Sequence, residues 1–242
     1  TNLLFEMWRA DIPGGGFDDA DFNGGCMAVW DLTREYGWNL TAGLEYDAMG
    51  RGTDCTSADA AGYPVAPLLF TPEELDAGVI NHALRFILPN ANIRNLEYVA
   101  PATHSTSATG GPATAPPYGA HLRLKSDAAL AAAHPSLDFS GLPKGAKVII
   151  KALQTYGMFL SDGGSIALTG ASDMHSSVKY CDHASYPYCD EDPNRLLHEH
   201  DLKFIRASDF ELLDNGGPER SWQGNCTLLY NYDDAGKKVV PN

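Results

Sequence analysis

Short apolar segments separated by turn residues are the feature of this sequence that most constrains its fold. The segments 3–9 and 26–32 are rich in aromatic residues and are bounded by Gly, Asp and Asn, which is the pattern of short strands. Further strands are predicted over residues 81–88, 98–100 and 120–125. A β-hairpin is predicted over 158–169, with its turn at Asp162-Gly163-Gly164. Such a series of short strands favours a β-rich fold.

Helical periodicity is convincing in one place. From Pro143 to Tyr156, apolar side chains recur at helical spacing, and Gly157 is suited to end the helix. Shorter helices are predicted over residues 72–77, 127–133 and 208–213. No internal repeat and no linker-like composition divides the 242 residues. We therefore predict one β-rich α+β domain over 1–242, an antiparallel β-sandwich or jelly-roll-like fold with a few peripheral helices.

The charge balance argues against two classes of function. Seventeen Lys and Arg residues stand against 31 Asp and Glu residues, which gives a net charge of −14. Nucleic acids and anionic membrane surfaces both bind clustered cations, so neither is expected as a partner. No apolar run approaches the roughly 20 residues that a membrane helix needs.

Cysteine usage and two sequons favour an extracellular or cell-surface protein. Asn39-Leu40-Thr41 and Asn225-Cys226-Thr227 fit N-glycosylation acceptors. Cys181 and Cys189 flank a short polar loop and are predicted to form a local disulfide. The other cysteines cannot all pair among themselves, so one is free or bonds to another chain; they are Cys26, Cys55 and Cys226. The chain starts at Thr1 without a signal peptide, and we expect a processed or incomplete sequence.

Three basic residues alternate with leucines in one predicted strand. There, His121, Arg123 and Lys125 share one face. The intervening Leu122 and Leu124 face the core. On an acidic protein this basic strip could receive a carboxylate or sulfate, for example the uronate groups of an acidic glycan. The alternative is an exposed sheet face paired with Asp or Glu of a neighbouring strand.

A stretch rich in Ser, Thr, Ala, Gly and Pro begins at His104 and ends before Tyr118, and it is predicted to be a long surface loop. A His or Tyr base facing Arg85, Arg123 or Lys125 would suit β-elimination on a uronide, because a cation must there neutralise the carboxylate. The resulting candidates are His104, Tyr118, His121 and Arg123 for catalysis, and Arg85 and Lys125 for substrate binding.

A glycoside hydrolase would instead need two carboxylates on opposite sides of the scissile bond. The candidates in this sequence are Asp59, Glu97, Asp162 and Asp173. Asp59 is better explained as a turn cap, and Asp162 as part of the predicted hairpin turn. Whether the chain is an enzyme is left open, with a polysaccharide lyase placed before a hydrolase.

No residue is assigned as a metal ligand and no cofactor is expected, although calcium is considered for two acidic segments. These are the glycine loop with Asp11, Asp18, Asp19 and Asp21, and the run Asp190-Glu191-Asp192. Neither has EF-hand spacing, and solvated acidic loops explain both. His198-Glu199-His200 is a weak metal pattern, because neighbouring residues alternate faces on a strand and residues i and i+2 do not align on a helix.

Aromatic side chains could supply platforms for sugar rings. The chain has 4 Trp and 11 Tyr residues, most of which are expected in the core. Trp38, beside Gly37 and the sequon at Asn39, is the one we expect to be exposed, and it joins the substrate-binding candidates.

Five segments occur in an order that is fairly specific. They are 56–62 (TSADAAG), 82–86 (HALRF), 101–104 (PATH), 116–125 (PPYGAHLRLK) and 153–164 (LQTYGMFLSDGG). Over roughly residues 1–175 the chain thereby resembles a family of uncharacterised secreted proteins that often occur beside carbohydrate-binding modules. The resemblance implies an extracellular context of polysaccharide and brings no established activity. Similar proteins carry another strand before the segment 3–8, so the resemblance also implies that a preceding strand is missing here.

The sequence thus predicts an extracellular domain that binds or acts on polysaccharide, with an acidic glycan held by the basic strip. The alternative is a structural glycoprotein subunit that assembles with itself or with a second chain that completes its sheet. An enzyme should have a cleft in which His104 or Tyr118 meets Arg123. A binding module should have an exposed aromatic platform, and a structural subunit should have an apolar contact surface.

Overall fold

The computed structural model describes residues 2–10, 24–33, 54–165, 167–182, 184–185, 188–216, 219–226, 231–232 and 238–239. The predictions for Trp38, for the sequon at Asn39 and for the acidic glycine loop lie outside these residues. The described part is a mixed α+β protein in which strands predominate, accompanied by three α-helices.

The elements follow one another along the chain as short strands and helices. The strands are β1 Leu3–Trp8, β2 Cys26–Asp31, β3 Leu84–Leu88, β4 Glu97–Val99, β5 His121–Leu124, β6 Met158–Gly163, β7 Phe210–Leu213, β8 Glu219–Ser221, β9 Asn231–Tyr232 and β10 Lys238–Val239. The helices are α1 Pro72–Ala77, α2 Asp127–Ala133 and α3 Lys144–Thr155.

Four strands form the central sheet, in the order β3-β6-β5-β7. β3 and β6 run parallel, whereas β5 runs antiparallel to both β6 and β7. The sheet is mixed rather than wholly antiparallel because β3 reaches its parallel neighbour β6 through a long crossover that contains β4, β5, α2 and α3. The other described strands form three two-stranded pairs, and a closed sandwich or jelly roll stays a prediction.

The helix predicted from Pro143 is confirmed as α3, which contacts β5 and α1. Its buried apolar side chains join the main core; they include Val148, Ile149, Ala152 and Leu153. At Gly157 the backbone has φ 73°, and a Cβ there would lie 2.5 Å from the Leu122 carbonyl oxygen. Glycine is therefore required where the chain turns from α3 into β6. The shorter helices predicted over 72–77 and 127–133 are also confirmed.

The hairpin predicted over 158–169 is wrong. Residues Met158–Gly163 form one strand, β6, and Asp162 lies within it rather than in a turn. The returning segment meets β3 instead, where the Ile87 N–H donates to the Ala167 carbonyl oxygen at 2.9 Å. β6 already has β3 on one edge and β5 on the other, so a returning strand has no free edge of β6 to pair with.

The helix predicted over 208–213 is wrong as well. A short 3₁₀ turn, Ala207–Asp209, leads directly into β7, which pairs with β5 in the register Leu124–Phe210. The edge of β5 that β6 leaves free supplies backbone partners to this segment, and this long-range pairing overrides the local helical pattern.

Two disulfides join described cysteines. Cys181 bonds to Cys189, as predicted, and Cys55 bonds to Cys226 across a separation of 171 residues. Disulfides persist in oxidising compartments, which fits an extracellular protein. None of the helices in the described ranges is long and apolar enough to cross a membrane.

Candidate functional site

The basic strip begins with His121, whose side chain is held between protein groups. Its ring stacks on Phe159 with 4.1 Å between the ring centroids. One ring nitrogen lies 2.9 Å from Asn215 Oδ1, and the other lies 2.8 Å from the Tyr156 carbonyl oxygen. Both nitrogens thus face acceptors, as a structural histidine does when it joins strands to loops.

The other two basic side chains of the strip also have protein partners. Arg123 Nε donates to Glu211 Oε1 on β7 at 2.7 Å, and Lys125 Nζ donates to the Ser208 carbonyl oxygen at 2.6 Å. This is the alternative interpretation of the strip, an exposed face paired with the neighbouring strand. An acidic glycan at the strip would therefore meet cations that already bind other groups of the protein.

Arg85, a predicted substrate-binding residue, lies on the same sheet face but is buried. Its Nη2 and Nε donate to Asp59 Oδ2 at 2.6 and 3.1 Å, and its Nη1 lies 3.3 Å from Thr169 Oγ1. Asp162 Oδ2 lies 3.7 Å from the same Nη2, so two carboxylates share one guanidinium. This cluster ties the segment around Asp59 to β3 and β6.

Burial sets the protonation of this cluster. It raises the pKa of Asp59 to about 7, although the Arg85 guanidinium favours the ionised form. Burial also raises the pKa of Asp162, and of Tyr118 beside it. A raised pKa keeps the Tyr118 hydroxyl protonated, which opposes the predicted use of this tyrosine as a base. Asp59 and Tyr118 are each 1% exposed, so a polysaccharide has no direct path to them.

His104 is also turned inward. Its Nδ1 lies 2.7 Å from the Ala60 carbonyl oxygen, and its ring packs edge-on against Trp222 at 5.4 Å. Only 9% of the residue is exposed. Asn225, which carries the second sequon, is exposed, and its glycosylation stays a prediction.

The carboxylates considered for a glycosidase are spread over three places. Asp59 and Asp162 meet at Arg85, whereas Glu97 pairs with Arg94 at 3.2 Å. Asp173 belongs to a different region, an open pocket near the Cys181–Cys189 disulfide. That pocket brings together residues that the sequence analysis treated separately.

The pocket has a cavity volume of about 500 Å³, which lies within the range of about 300–1,000 Å³ typical of ligand sites. We call it the disulfide-loop pocket. Its lining consists of Phe70, Gly170, Ala171, Asp173, Tyr180, Tyr188, Cys189, Asp190, Leu197, His198, Glu199 and His200. Apart from Phe70, these residues come from the last third of the chain.

Three aromatic rings line the disulfide-loop pocket. Phe70 packs edge-on against Tyr180 at 6.1 Å, and the Tyr180 hydroxyl donates to the Ala171 carbonyl oxygen at 2.7 Å. Tyr188 is 69% exposed, which is unusual for a large aromatic residue in a pocket lining. Tyr188 directly precedes Cys189, whose disulfide to Cys181 closes this loop.

A half-buried ion pair fixes the turn that carries the two pocket histidines. Asp201 accepts a hydrogen bond from Arg195 Nη2 at 2.8 Å and another from the His198 backbone N–H at 2.6 Å. The Leu196 N–H donates to the Tyr180 carbonyl oxygen at 2.7 Å, which joins the turn to the aromatic wall. The turn is therefore positioned before any ligand binds.

The lining is acidic. It contains Asp173, Asp190 and Glu199, and none of its residues, all of which the structure describes, is Lys or Arg. Asp173 Oδ2 accepts a hydrogen bond from the Tyr180 N–H at 3.0 Å, so its carboxylate is oriented. Lys179 and Arg195 donate to the backbone carbonyls of Asp173 and Asp190 from outside the lining. Within the lining itself carboxylates are in excess, which disfavours an anionic ligand and favours a neutral hydrogen-bonding or cationic one.

The calcium interpretation of residues 190–192 is not supported by the geometry. Asp192 is buried and its oxygens accept hydrogen bonds from the Asp182 and Asn194 N–H groups. Among the residues that the structure describes, the one group of three or more potential ligands that converges is His198, Glu199 and His200. The turn thus brings together the three side chains of the His-Glu-His pattern that looked weak in the sequence.

Comparisons with family models, with curated proteins and with solved structures find no match to this chain. The resemblance to secreted proteins over roughly the first 175 residues stays a prediction.

Proposed function

We propose that the chain is a secreted domain that binds glycans without acidic groups in the disulfide-loop pocket. The observation that carries the proposal is the combination, in one open cavity, of aromatic rings with carboxylates, of which Asp173 is oriented, in a lining without Lys or Arg. The two disulfides support the extracellular part of the proposal.

The chemistry of the lining suits a sugar ring. The apolar C–H face of a pyranose stacks on an aromatic ring, and Tyr188 offers such a ring to solvent. Carboxylates such as Asp173 and Asp190 accept hydrogen bonds from sugar hydroxyls. Apolar walls with a few placed polar groups are the common composition of a ligand pocket.

The negative charge of the pocket lining distinguishes between classes of glycan. A uronate or sulfate would meet three carboxylates here, and the basic strip on β5 already binds Glu211 and the Ser208 carbonyl. We therefore place the glycan in the pocket rather than on the strip, and we choose neutral or amino sugars over acidic ones. Catalysis is not part of the proposal.

The test is a binding screen of the wild-type protein against cello-, chito-, xylo- and manno-oligosaccharides, with oligogalacturonate as the acidic member. We expect at least one neutral or amino-sugar oligosaccharide to bind. Tyr188→Ala should weaken this binding at least about tenfold, and Tyr156→Ala, which removes an exposed tyrosine outside the pocket, should leave it unchanged. Preferential binding of oligogalacturonate, or no binding at all, overturns the proposal. New reducing ends or unsaturated uronides in the same samples would assign a cleavage activity that the proposal does not include.

Self-assembly is a second candidate function, and the β1–β2 pair favours it. On one face of this pair Phe5 and Met27 are each 54% exposed, and the paired side chains Val29 and Met7 lie on the same face. On the opposite face, Glu6 accepts hydrogen bonds from the Val65 and Ala66 N–H groups. A contiguous apolar face is a typical contact surface between chains.

Sedimentation velocity tests this second candidate. An assembling wild-type protein should dissociate on Phe5→Glu and should be unaffected by Val79→Glu, because Val79 is an exposed apolar residue elsewhere on the surface. A wild-type protein that sediments as a monomer at every concentration rules out assembly through this face.

A further inference from the structure

We infer that His198, Glu199 and His200 bind a divalent transition metal ion, for which Zn²⁺ is the best match, at the disulfide-loop pocket. The ligand atoms of these three residues all lie within 4.8 Å of one another. In a tetrahedral zinc site neighbouring ligand atoms are about 3.3 Å apart, so the side chains need only small rotations to close on an ion. The inference concerns the metal alone and does not depend on the proposed glycan.

The donor set identifies the metal class. Two imidazole nitrogens with one carboxylate oxygen suit zinc and its transition-metal neighbours, whereas calcium requires a shell of oxygen atoms. Three protein ligands leave one tetrahedral position open, which is the arrangement of zinc sites that bind a water molecule or a substrate. All three residues line the pocket, so a fourth ligand would come from a molecule inside it.

The local structure favours coordination. The His198 and His200 rings lie 4.9 Å apart at an interplanar angle of 78°, which lets nitrogens from both rings approach one point. Asp201 binds the His198 N–H and Arg195, and this holds the turn in place. The side chains of Glu199 and His200 are 77% and 57% exposed, so both are free to rotate toward an ion.

Two contacts must change when the ion binds. The His200 N–H donates to His198 Nδ1 at 3.3 Å. This long hydrogen bond is lost when the ring binds a metal, because Nδ1 then either holds the metal or carries the ring proton. His200 Nε2 lies 3.4 Å from Glu199 Oε1, and both atoms would turn from each other to the metal. The carboxylates of Asp173 and Asp190 in the same lining add to the attraction of a cation.

The experiment is a titration of the chelator-treated protein with ZnCl₂ and, separately, with CoCl₂. We expect one ion per chain and a Co²⁺ absorption spectrum of tetrahedral type. His200→Ala and Glu199→Gln should each weaken Zn²⁺ binding at least about tenfold, since even residues that only support a ligand contribute tenfold or more. Both side chains are exposed, so these variants keep the fold.

His175→Ala is the matched control, because it removes an exposed histidine that is not among the pocket residues, and it should bind Zn²⁺ like the wild type. Stoichiometric Zn²⁺ binding that survives His200→Ala overturns the inference, and so does absence of binding. Oligosaccharide binding is then compared with EDTA and with Zn²⁺. Glycan binding in EDTA by a chain that binds no Zn²⁺ refutes the metal site alone, and Zn²⁺ binding without glycan binding refutes the proposed function alone.

Discussion

Replacing Arg85 by Met tests whether the cluster beneath the sheet is a structural ion pair. Arg85 Nη2 and Nε contact Asp59 Oδ2 at 2.6 and 3.1 Å, and the two side chains are 8% and 0% exposed. Met keeps an apolar stem of similar length and removes the guanidinium. Asp59 is then left buried without the cation that its carboxylate faces.

The expected cost follows from this burial. Removing one partner of a buried ion pair lowers the free energy of unfolding by about 3–5 kcal/mol. For a chain of this size, such a loss lowers Tm by roughly 6–20 °C. Arg123→Met is the matched control, because its ion pair with Glu211 is 43% and 46% exposed and surface pairs contribute about 0–1 kcal/mol.

The cost should also depend on pH. Burial raises the pKa of Asp59 to about 7 in the folded protein, and Arg85 works against this rise. Without Arg85 the pKa of Asp59 in the folded protein rises further, while its pKa in the unfolded protein stays at the usual value of 3.8. An acid with a raised folded-state pKa loses stability as pH rises from the unfolded value to the folded one, so the variant continues to lose stability above pH 7.

Denaturant unfolding of wild type, Arg85→Met and Arg123→Met near pH 5 and near pH 8 measures these differences. We expect the cost of Arg85→Met to exceed that of Arg123→Met near pH 8, where the Asp59 carboxyl of the wild type is ionised, and to be smaller near pH 5, where it is protonated in both proteins. Equal costs for the two variants near pH 8, or a cost of Arg85→Met that shrinks as pH rises, would refute the reasoning.

Two further predictions concern the disulfides and a second buried carboxylate. Loss of the Cys55–Cys226 bond, which spans 171 residues, should lower the free energy of unfolding by about 5 kcal/mol, and loss of the Cys181–Cys189 bond, which spans 8, by about 2.5 kcal/mol. Serine variants compared by denaturant unfolding test this order, and a larger cost for the short loop would contradict it. Burial opposes ionisation of Asp209, but hydrogen bonds from the Arg206 N–H and from His134 hold the pKa of this carboxyl below its usual 3.8. Its stabilisation is therefore present above that value and lost as pH falls below it, so Asp209→Asn should lower stability near neutral pH and flatten the acid end of the profile. An unchanged acid end would contradict this assignment.

Local sequence patterns predicted the helices better than the sheet. The spacing of apolar residues after Pro143 fixes α3, because a helix is stabilised by contacts within one segment. The parallel pairing of β3 with β6 joins residues more than 70 positions apart, for example Leu84 with Met158, and no local pattern records it. The Asp-Gly-Gly sequence resembled a hairpin turn because the pattern does not reveal that both edges of β6 are already paired.

The same distinction applies to the candidate site. Alternation correctly placed His121 and Arg123 on one face, but Glu211, which pairs with Arg123, comes from a strand 88 positions away. Asp173 and the 198–200 turn were each noted in the sequence, and the fold brings them to one pocket with Phe70. The spacing argument against the two histidines assumed a regular helix or strand, whereas they occupy a turn in which their rings approach to 4.9 Å.

The central claim is that a glycan without acidic groups binds in the disulfide-loop pocket rather than on the basic strip. The most direct measurement is calorimetric titration of wild type, Tyr188→Ala and Arg123→Met with the best neutral oligosaccharide and with oligogalacturonate of equal length. We predict that the neutral glycan binds more tightly, that Tyr188→Ala weakens its binding at least about tenfold, and that Arg123→Met has no effect. Tighter binding of oligogalacturonate, lost in Arg123→Met and retained in Tyr188→Ala, would contradict the claim and return the site to the strip on β5.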